Sequence, residues 1–598
     1  MNHHENDVDL WHFKTRPTLK PPKWDITIHD EEQISEGYWF VAVKPSQENT
    51  IGTHEDWWGP AIYDGRGELV WSSADQLDTP NVMAFQLSNV LGEDMLTMLD
   101  RDRGSGVVMD TNYEITQVIN VHDDFPPNGH EFNVVDGGKS VIYIKNRKTE
   151  SPESEKEAVG FHGDSCYANY LTFHEVSTET WETTFEFDSW DKIRLNESTI
   201  DDEPIEKLCK NFDYLHANSV DKTPDGDYLF SGRHTDTIYK ISKDDGHIVW
   251  RLGGKRSDFE LGEGVKFSRQ HNIRSQGQNE THTLISILDN AVGQDSQKAT
   301  HDWSRGLLIA LRTDTDPMTA ELVQGFDHPR EKYVDRRGNF QMLDNRNVFM
   351  GWSERAEQSE HAPDGKLLFE ARFKADWMGS YRNYKFPYVG RPLGKPDVVS
   401  KASFWDREDE PNPYTQVWVS WNGDTEVRTW ELHGSKSDND TMALLDSVER
   451  TGFETFFEYQ GYAKFVQLKG IDKNGDLVGN SGLVKTEMHP TFPDEPEKDE
   501  DDEGLTDEQH DISASHVHVK TIIFITLFVV GFVGAAIFVL TSLGIIPIAW
   551  AKQARERYAP KFRDAMNVIQ YKKVAVEDPE QGERLVESKG SLRAQEPG

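Results

Sequence analysis

Five short runs of aromatic and β-branched residues each turn on an Asp-Gly pair: YDGRGELVW from Tyr63, VVDGGKSVIYI from Val134, TPDGDYLFSGR from Thr223, KDDGHIVWRLGG from Lys243 and APDGKLLFEARF from Ala362. Asp-Gly is a tight-turn signal, and the flanking alternation gives each hairpin an apolar face that it cannot cover alone. Irregular repetition of this unit over residues 37–395 predicts an all-β region in which hairpins bury their faces on neighbours. A β-propeller, with side chains converging on a central channel, fits this best, and a pair of sandwiches is the competing architecture.

A second β module is expected over residues 400–487, where YTQVWVSWNGDTEVRTWELHG, FETFFEY and YAKFVQLKGIDKNGDLVG alternate apolar and polar residues around a turn at Asn474-Gly475. This is the pattern of an immunoglobulin- or fibronectin-III-like sandwich, and it offers no site chemistry. Residues 1–36 form an N-terminal segment. Residues 488–520 include PDEPEKDEDDEGLTDEQHD, which self-repels and buries nothing, so we expect an acidic stalk, with an acidic docking motif as the alternative.

Residues 521–551 hold no charged side chain and exceed the ~20 residues that a transmembrane helix needs. Lys552, Arg555, Arg557, Lys561 and Arg563 follow this run, against Lys520 alone in the near flank before it. The positive-inside bias therefore makes residues 552–598 a cytoplasmic tail of a single-pass membrane protein and leaves the body extracellular or lumenal. The opening residues MNHHENDVDLWHFKTRPTLKPPKWDI contain no apolar signal core, so a tail-anchored protein with a cytosolic body is the second topology.

Composition narrows the partners. With 104 acidic against 64 basic residues the net charge is −40, which argues against nucleic acid. The two cysteines, Cys166 and Cys209, exclude a disulfide framework and a multi-cysteine metal module and permit one disulfide, whose formation the sequence leaves open. Sequons at Asn196, Asn279 and Asn439 agree with a glycoprotein body outside the cytoplasm.

The candidate chemistry centres on FDYLHANSVDKTPDGDYLFSGRH. A hairpin turning at Pro224-Asp225-Gly226 sets Arg233 opposite Ala217 and puts His216 and Asn218 on one side of the strand. A permanent cation and two neutral donors then form an anion clamp. His130, in NGHEFNVVDGG, and His271, in FSRQHNIR, stand at comparable places directly before strands. Taken singly, each histidine reads equally as a strand cap or as a partner for a buried carbonyl.

These motifs, with SILDNAVG and SYRNYKFPYVGRP, resemble the arylsulfotransferase family, particularly its fungal branch, over residues 37–395. The resemblance implies a six-bladed propeller that moves a sulfuryl group from an aryl sulfate ester to a phenol, without a nucleotide donor, a metal or an organic cofactor. It implies His271 as the nucleophile that becomes sulfated, and His216, Asn218 and Arg233 as stabilisers of sulfuryl charge, His216 in its protonated form. His130 would protonate the departing phenolate and deprotonate the acceptor. The family pattern has a small Gly where Asn272 follows His271. Two other functions compete: a non-catalytic membrane-anchored receptor or adhesion propeller, and a quinoprotein-like propeller suggested by the G-x-x-x-W runs ending at Trp71 and Trp250. Oligomeric state is not legible.

Overall fold

All five Asp-Gly pairs lie in turns between adjacent antiparallel strands. In the computed structural model, which describes residues 7–45, 59–120, 128–200, 203–293, 299–353, 356–405, 412–437 and 440–488, these hairpins fall in four of the six sheets that form a ring. Blade one begins with inner strand Val82–Val90, blade two with Phe132–Val135, blade three with Ala217–Lys222, blade four with His271–Gln278 and blade five with Asn339–Met342. Blade six takes its inner strand, Met378–Phe386, from one end of the region and its outer three, beginning with Tyr38–Pro45, from the other. Each inner strand adjoins the next, and that of blade six returns to blade one. The result is a propeller-like ring closed by antiparallel pairing of sequence-distant strands, which leaves few sheet edges open.

Alternation along each strand builds the core. Tyr228 and Phe230 pack with blade two, whereas Leu229, between them, packs with blade four. The same division recurs at Trp39 and Phe40, which join different clusters on the two faces of blade six. Every blade is therefore apolar on both faces.

The inner strands are polar yet buried, because their side chains bond the neighbouring blade's backbone. Ser219 and Asp221 accept from the N–H groups of Ile273 (2.9 Å) and Ser275 (2.8 Å). Asn339 and Gln341 accept from the N–H groups of Asn383 (2.9 Å) and Lys385 (2.8 Å) and donate back to the same residues' carbonyls. Spacing by two residues puts these surrogates on one side of the strand, where they replace the sheet ladder that splayed blades cannot make.

Glu131, with no exposed surface, binds Arg382 Nη1 (2.9 Å) and Arg274 Nη1 (3.0 Å) and accepts from the Val220 N–H (3.2 Å). Burial opposes its charge, but the two guanidinium groups outweigh that and hold its pKa below the ordinary carboxylate value. Cys166 and Cys209, both buried, are joined in a disulfide that settles the open pairing.

Two sheets follow, one containing Asp397–Trp405, Asn412–Ser420 and Glu454–Tyr459, the other Thr429–Ser435, Ala443–Glu449 and Phe465–Ile471. Val417, Val419, Trp430, Leu432, Phe457 and Leu468 fill the sandwich between them. Its Trp421-Asn422-Gly423 run docks on the ring: Asn422 exchanges hydrogen bonds with the Ser72 backbone (2.8 and 2.9 Å), and Tyr113 Oη donates to the Gly423 carbonyl (2.7 Å). A Cβ at Gly423 would stand 2.3 Å from the Tyr113 ring, so the contact requires glycine.

Two expectations change. Trp24–Ile28, placed in the N-terminal segment, is the outer strand of blade five, paired with Leu367–Phe373. The acidic stalk, the transmembrane segment and the tail lie outside the described residues, among which no helix is long and apolar enough to cross a membrane. Asn279 sits exposed at a turn between two blade-four strands, Asn196 is partly buried in a 3-10 turn, and Asn439 is outside the described residues.

Replacing Glu131→Gln leaves two buried guanidinium groups facing a neutral amide. The expected loss is about 3–5 kcal/mol of stability, read as a lower urea midpoint with an unchanged slope.

Candidate active site

His130, His216 and His271 occupy equivalent places at the starts of the inner strands of blades two, three and four. Ring closure brings the His130 and His216 ring centroids within 4.9 Å of each other, with His234 4.5 Å from His216 and His271 near enough to act electrostatically on His130. Arg233 opens the 3-10 turn Arg233–Thr235 and donates its N–H to the His216 carbonyl (3.2 Å). Its Nη1 reaches His234 Nε2 (2.5 Å) and its Nη2 the Asp335 carbonyl (3.2 Å).

The hairpin register differs by one residue from the expected one. Ala217 faces Gly232 because the pairing is irregular at Asn218, beyond which Ser219 faces Ser231. His216, directly before the strand, has φ 46°, a left-handed conformation. Asn218 is fully buried, with Nδ2 donating to the Gln270 carbonyl (2.7 Å) and Oδ1 accepting from Ser219 Oγ (2.9 Å). It braces the residue before His271, and one of its amide hydrogens is spent on that contact.

Hydrogen bonds fix the two histidines that carry the nucleophile and base assignments. Asn290 gives both Nδ2 hydrogens away, to the carbonyls of Val334 (2.7 Å) and Arg337 (3.1 Å), so its Oδ1 faces His271 and accepts from Nδ1–H (2.8 Å). The His271 lone pair is thereby on Nε2, where it accepts the Arg337 N–H (3.1 Å). Asn128 donates to Asn146 Oδ1 (2.9 Å) and turns its own Oδ1 to His130 Nδ1 (2.5 Å), which leaves the His130 lone pair on Nε2 as well.

Burial first, then Arg233, pushes His271 well below the ordinary histidine value of 6.5. Desolvation, then His216, His271 and Arg101, does the same to His130. Both are neutral at pH 7. For His271 this suits a nucleophile, and for His130 it suits a base.

Several contributing residues escaped sequence reasoning. Asp213 accepts from His216 Nδ1–H (2.5 Å), and its backbone carbonyl accepts from His234 Nδ1–H (2.5 Å). Burial opposes ionisation of Asp213, but His216 foremost, then His234 and His130, hold its pKa below the carboxylate range. It lies three residues before His216 in a run otherwise read for histidine and asparagine. Gln270, read only as part of Q-H, donates to the carbonyls of Gly232 (3.0 Å) and Thr237 (3.2 Å) and so ties His271 to blade three. Asn290 and Arg382 sit within recognised motifs but carried no assigned role. Asn272, where a Gly was expected, has φ 57°, a left-handed conformation that glycine and asparagine tolerate best. Its side chain also accepts the Phe340 N–H (3.1 Å), a blade-to-blade bond that glycine lacks.

Among the described residues, Asp213, His216 and His234 each offer a ligand atom within 4.8 Å of the others and could hold a metal. Their observed contacts are mutual hydrogen bonds, and the Arg233 cation on His234 Nε2 opposes a second cation there. A separate cleft of about 440 Å³ between blade six and the sandwich is lined by Tyr38, Arg66, Asp424, Arg428 and Arg450. It contains none of the histidines.

Residues 86–374 match the family model for arylsulfotransferase (ASST). Over that span the sequence is similar to the arylsulfotransferase family. The matched segment runs from blade one through blade five and contains all five expected site residues. No curated protein matches the sequence. Similar solved structures include a Bacteroides caccae protein of unknown function, at 10% identity over 59% of this chain and 100% of that one, with a TM-score of 0.33. A catalytically inactive Staphylococcus aureus virginiamycin B lyase with quinupristin is 8% identical over 68% of this chain and 97% of its own, TM-score 0.27. Kuenenia stuttgartiensis hydrazine synthase is 12% identical over 51% and 73%, TM-score 0.28. Likeness at this level carries no functional argument.

The depressed histidine pKa values have a sign in the pH dependence of folding. Between the lowered folded-state values and 6.5 the unfolded chain binds the protons that folded His130 and His271 refuse, so stability falls as pH drops below 6.5. Urea titrations at successive pH values should lose part of this slope in His130→Phe, while imidazole NMR of the parent should detect no protonation of either ring at 6.5.

Proposed function

We propose that this protein transfers a sulfuryl group from an aryl sulfate ester to a phenol, without a nucleotide donor, through a sulfated His271. The observation that carries the reading is a buried, neutral His271 with its lone pair on Nε2, Arg233 nearby, and His130 and His216 at the neighbouring strand starts. In the first step the Nε2 lone pair bonds sulfur while the sulfur–aryl oxygen bond breaks, and its electrons leave on the phenolate. Nδ1–H stays on Asn290, so the sulfated ring is cationic. Arg233 offers donors to the sulfuryl oxygens, as does His216 in its protonated form, where charge stabilisation acts most strongly in a water-poor site. In the second step His130 Nε2 takes the acceptor phenol's proton as its oxygen bonds sulfur, and the sulfur–nitrogen electrons return to His271. The donor's phenolate departs as an anion in this scheme, which favours donors with acidic leaving phenols.

The same proposal puts the propeller in an extracellular or lumenal space, anchored by residues 521–551 with the tail in the cytoplasm. The Cys166–Cys209 disulfide and the exposed sequon at Asn279 support that side of the membrane.

One observation favours the alternative of a binding propeller without turnover: Arg337 N–H already occupies the His271 lone pair. Incubation with p-nitrophenyl sulfate and a phenol separates the two. Turnover requires acceptor-dependent nitrophenolate and covalent sulfate on His271, both lost in His271→Ala by on the order of 10³-fold or more. Arg233→Gln should lower the rate by about 10²–10³-fold with His271 still sulfatable. Absence of both signals with the parent protein across activated aryl sulfates leaves the binding reading.

A further inference from the structure

The Nε2 lone pair of His271 cannot hold the Arg337 amide hydrogen and bond sulfur at once. A covalent bond is much shorter than the 3.1 Å hydrogen bond and lies along the same direction, so Arg337 must leave before a sulfuryl group arrives. Residues Val334 to Gly338 run over His271 as a strap with pinned ends. At one end the Val334 N–H donates to Ser304 Oγ (2.7 Å). At the other, a Cβ on Gly338 would lie 2.2 Å from Leu288, so the backbone is held against blade four. Between the ends, Arg233 Nη2 holds the Asp335 carbonyl (3.2 Å) and Asn290 holds the carbonyls of Val334 and Arg337. Arg337 itself has φ 62°, a conformation that a long side chain adopts only where its surroundings impose it.

We propose that Asn290 is a positioning residue that sets the His271 tautomer and latches this strap over Nε2, so that the nucleophile is capped at rest and uncovered by the anion that binds Arg233. The inference rests on the sulfuryl-transfer reading for its purpose, though not for its measurement. One fully buried amide does both jobs, because its oxygen is the nearer of two acceptors on His271 Nδ1–H, the other being the Arg269 carbonyl (3.1 Å), while its two hydrogens close the strap. The driving force for opening is also visible. A sulfate-like anion on Arg233 competes with the Asp335 carbonyl for the guanidinium and so binds the open strap better than the closed one, the difference that any population shift requires. Opening only for an anion would also keep other electrophiles from a buried nucleophile.

The test uses the full chain and inorganic sulfate as the probe. Amide hydrogen exchange over residues 334–338 should be slow in the parent protein and accelerate with added sulfate. In Asn290→Ala, exchange should already be faster by on the order of ten- to a hundredfold, the worth of two hydrogen bonds, and respond little to sulfate. Imidazole nitrogen NMR should find His271 protonated on Nδ1 in the parent and mixed between tautomers in Asn290→Ala, whereas Ser304→Ala should loosen the strap and leave the tautomer intact. Sulfate-insensitive strap exchange in the parent overturns the proposal without any variant having to fold, and so does an unchanged tautomer in Asn290→Ala. Missing nitrophenolate release in the parent, with strap and tautomer behaving as stated, overturns the sulfuryl-transfer reading instead.

Discussion

One carboxylate without access to water holds four blades in register. Glu131 enters from blade two, meets Arg274 of blade four and Arg382 of blade six, and accepts a backbone N–H from blade three. Arg382 then passes a hydrogen bond to the Asn218 carbonyl, two residues after His216. A charge in that position is tolerable only when fully paired, so the strand starts around it have little freedom. The candidate site is built on those strand starts.

The ring explains how a site can be assembled from residues more than a hundred positions apart. Each blade buries two apolar faces, and the polar inner strands are satisfied by side chains that bond the next blade's backbone. Equivalent places on successive blades therefore become neighbours. Histidines at three of those places meet although nothing local in their sequences joins them. Left-handed backbone at His216, Asn272 and Arg337 is concentrated there, the kind of local cost that surrounding packing sustains.

The electrostatics of the site run against those of the molecule. The chain is strongly acidic, yet its channel holds Arg233, Arg274 and Arg382 against Glu131 and Asp213, and burial first, then Arg233 for His271 and His216 for His130, disfavours a further proton on either ring. Neutrality makes His271 nucleophilic and His130 a base.

Asp-Gly turns and strand alternation determined the all-β, propeller-like ring and the sandwich in the sequence itself, since turn chemistry and period-two burial are local properties. The motifs also marked His130, His216, Arg233 and His271 as a group. Register at Asn218, the left-handed turn at His216, the loss of Asn218 as a fully free donor and the membership of Trp24–Ile28 in blade five were decided only in three dimensions. They depend on contacts between blades, which no local pattern encodes. The protonation of His130, the tautomer of His271 and the strap over its lone pair were decided there too, because each is set by groups that only ring closure brings near: Arg101 and His216 for the first, Asn290 and Arg337 for the others.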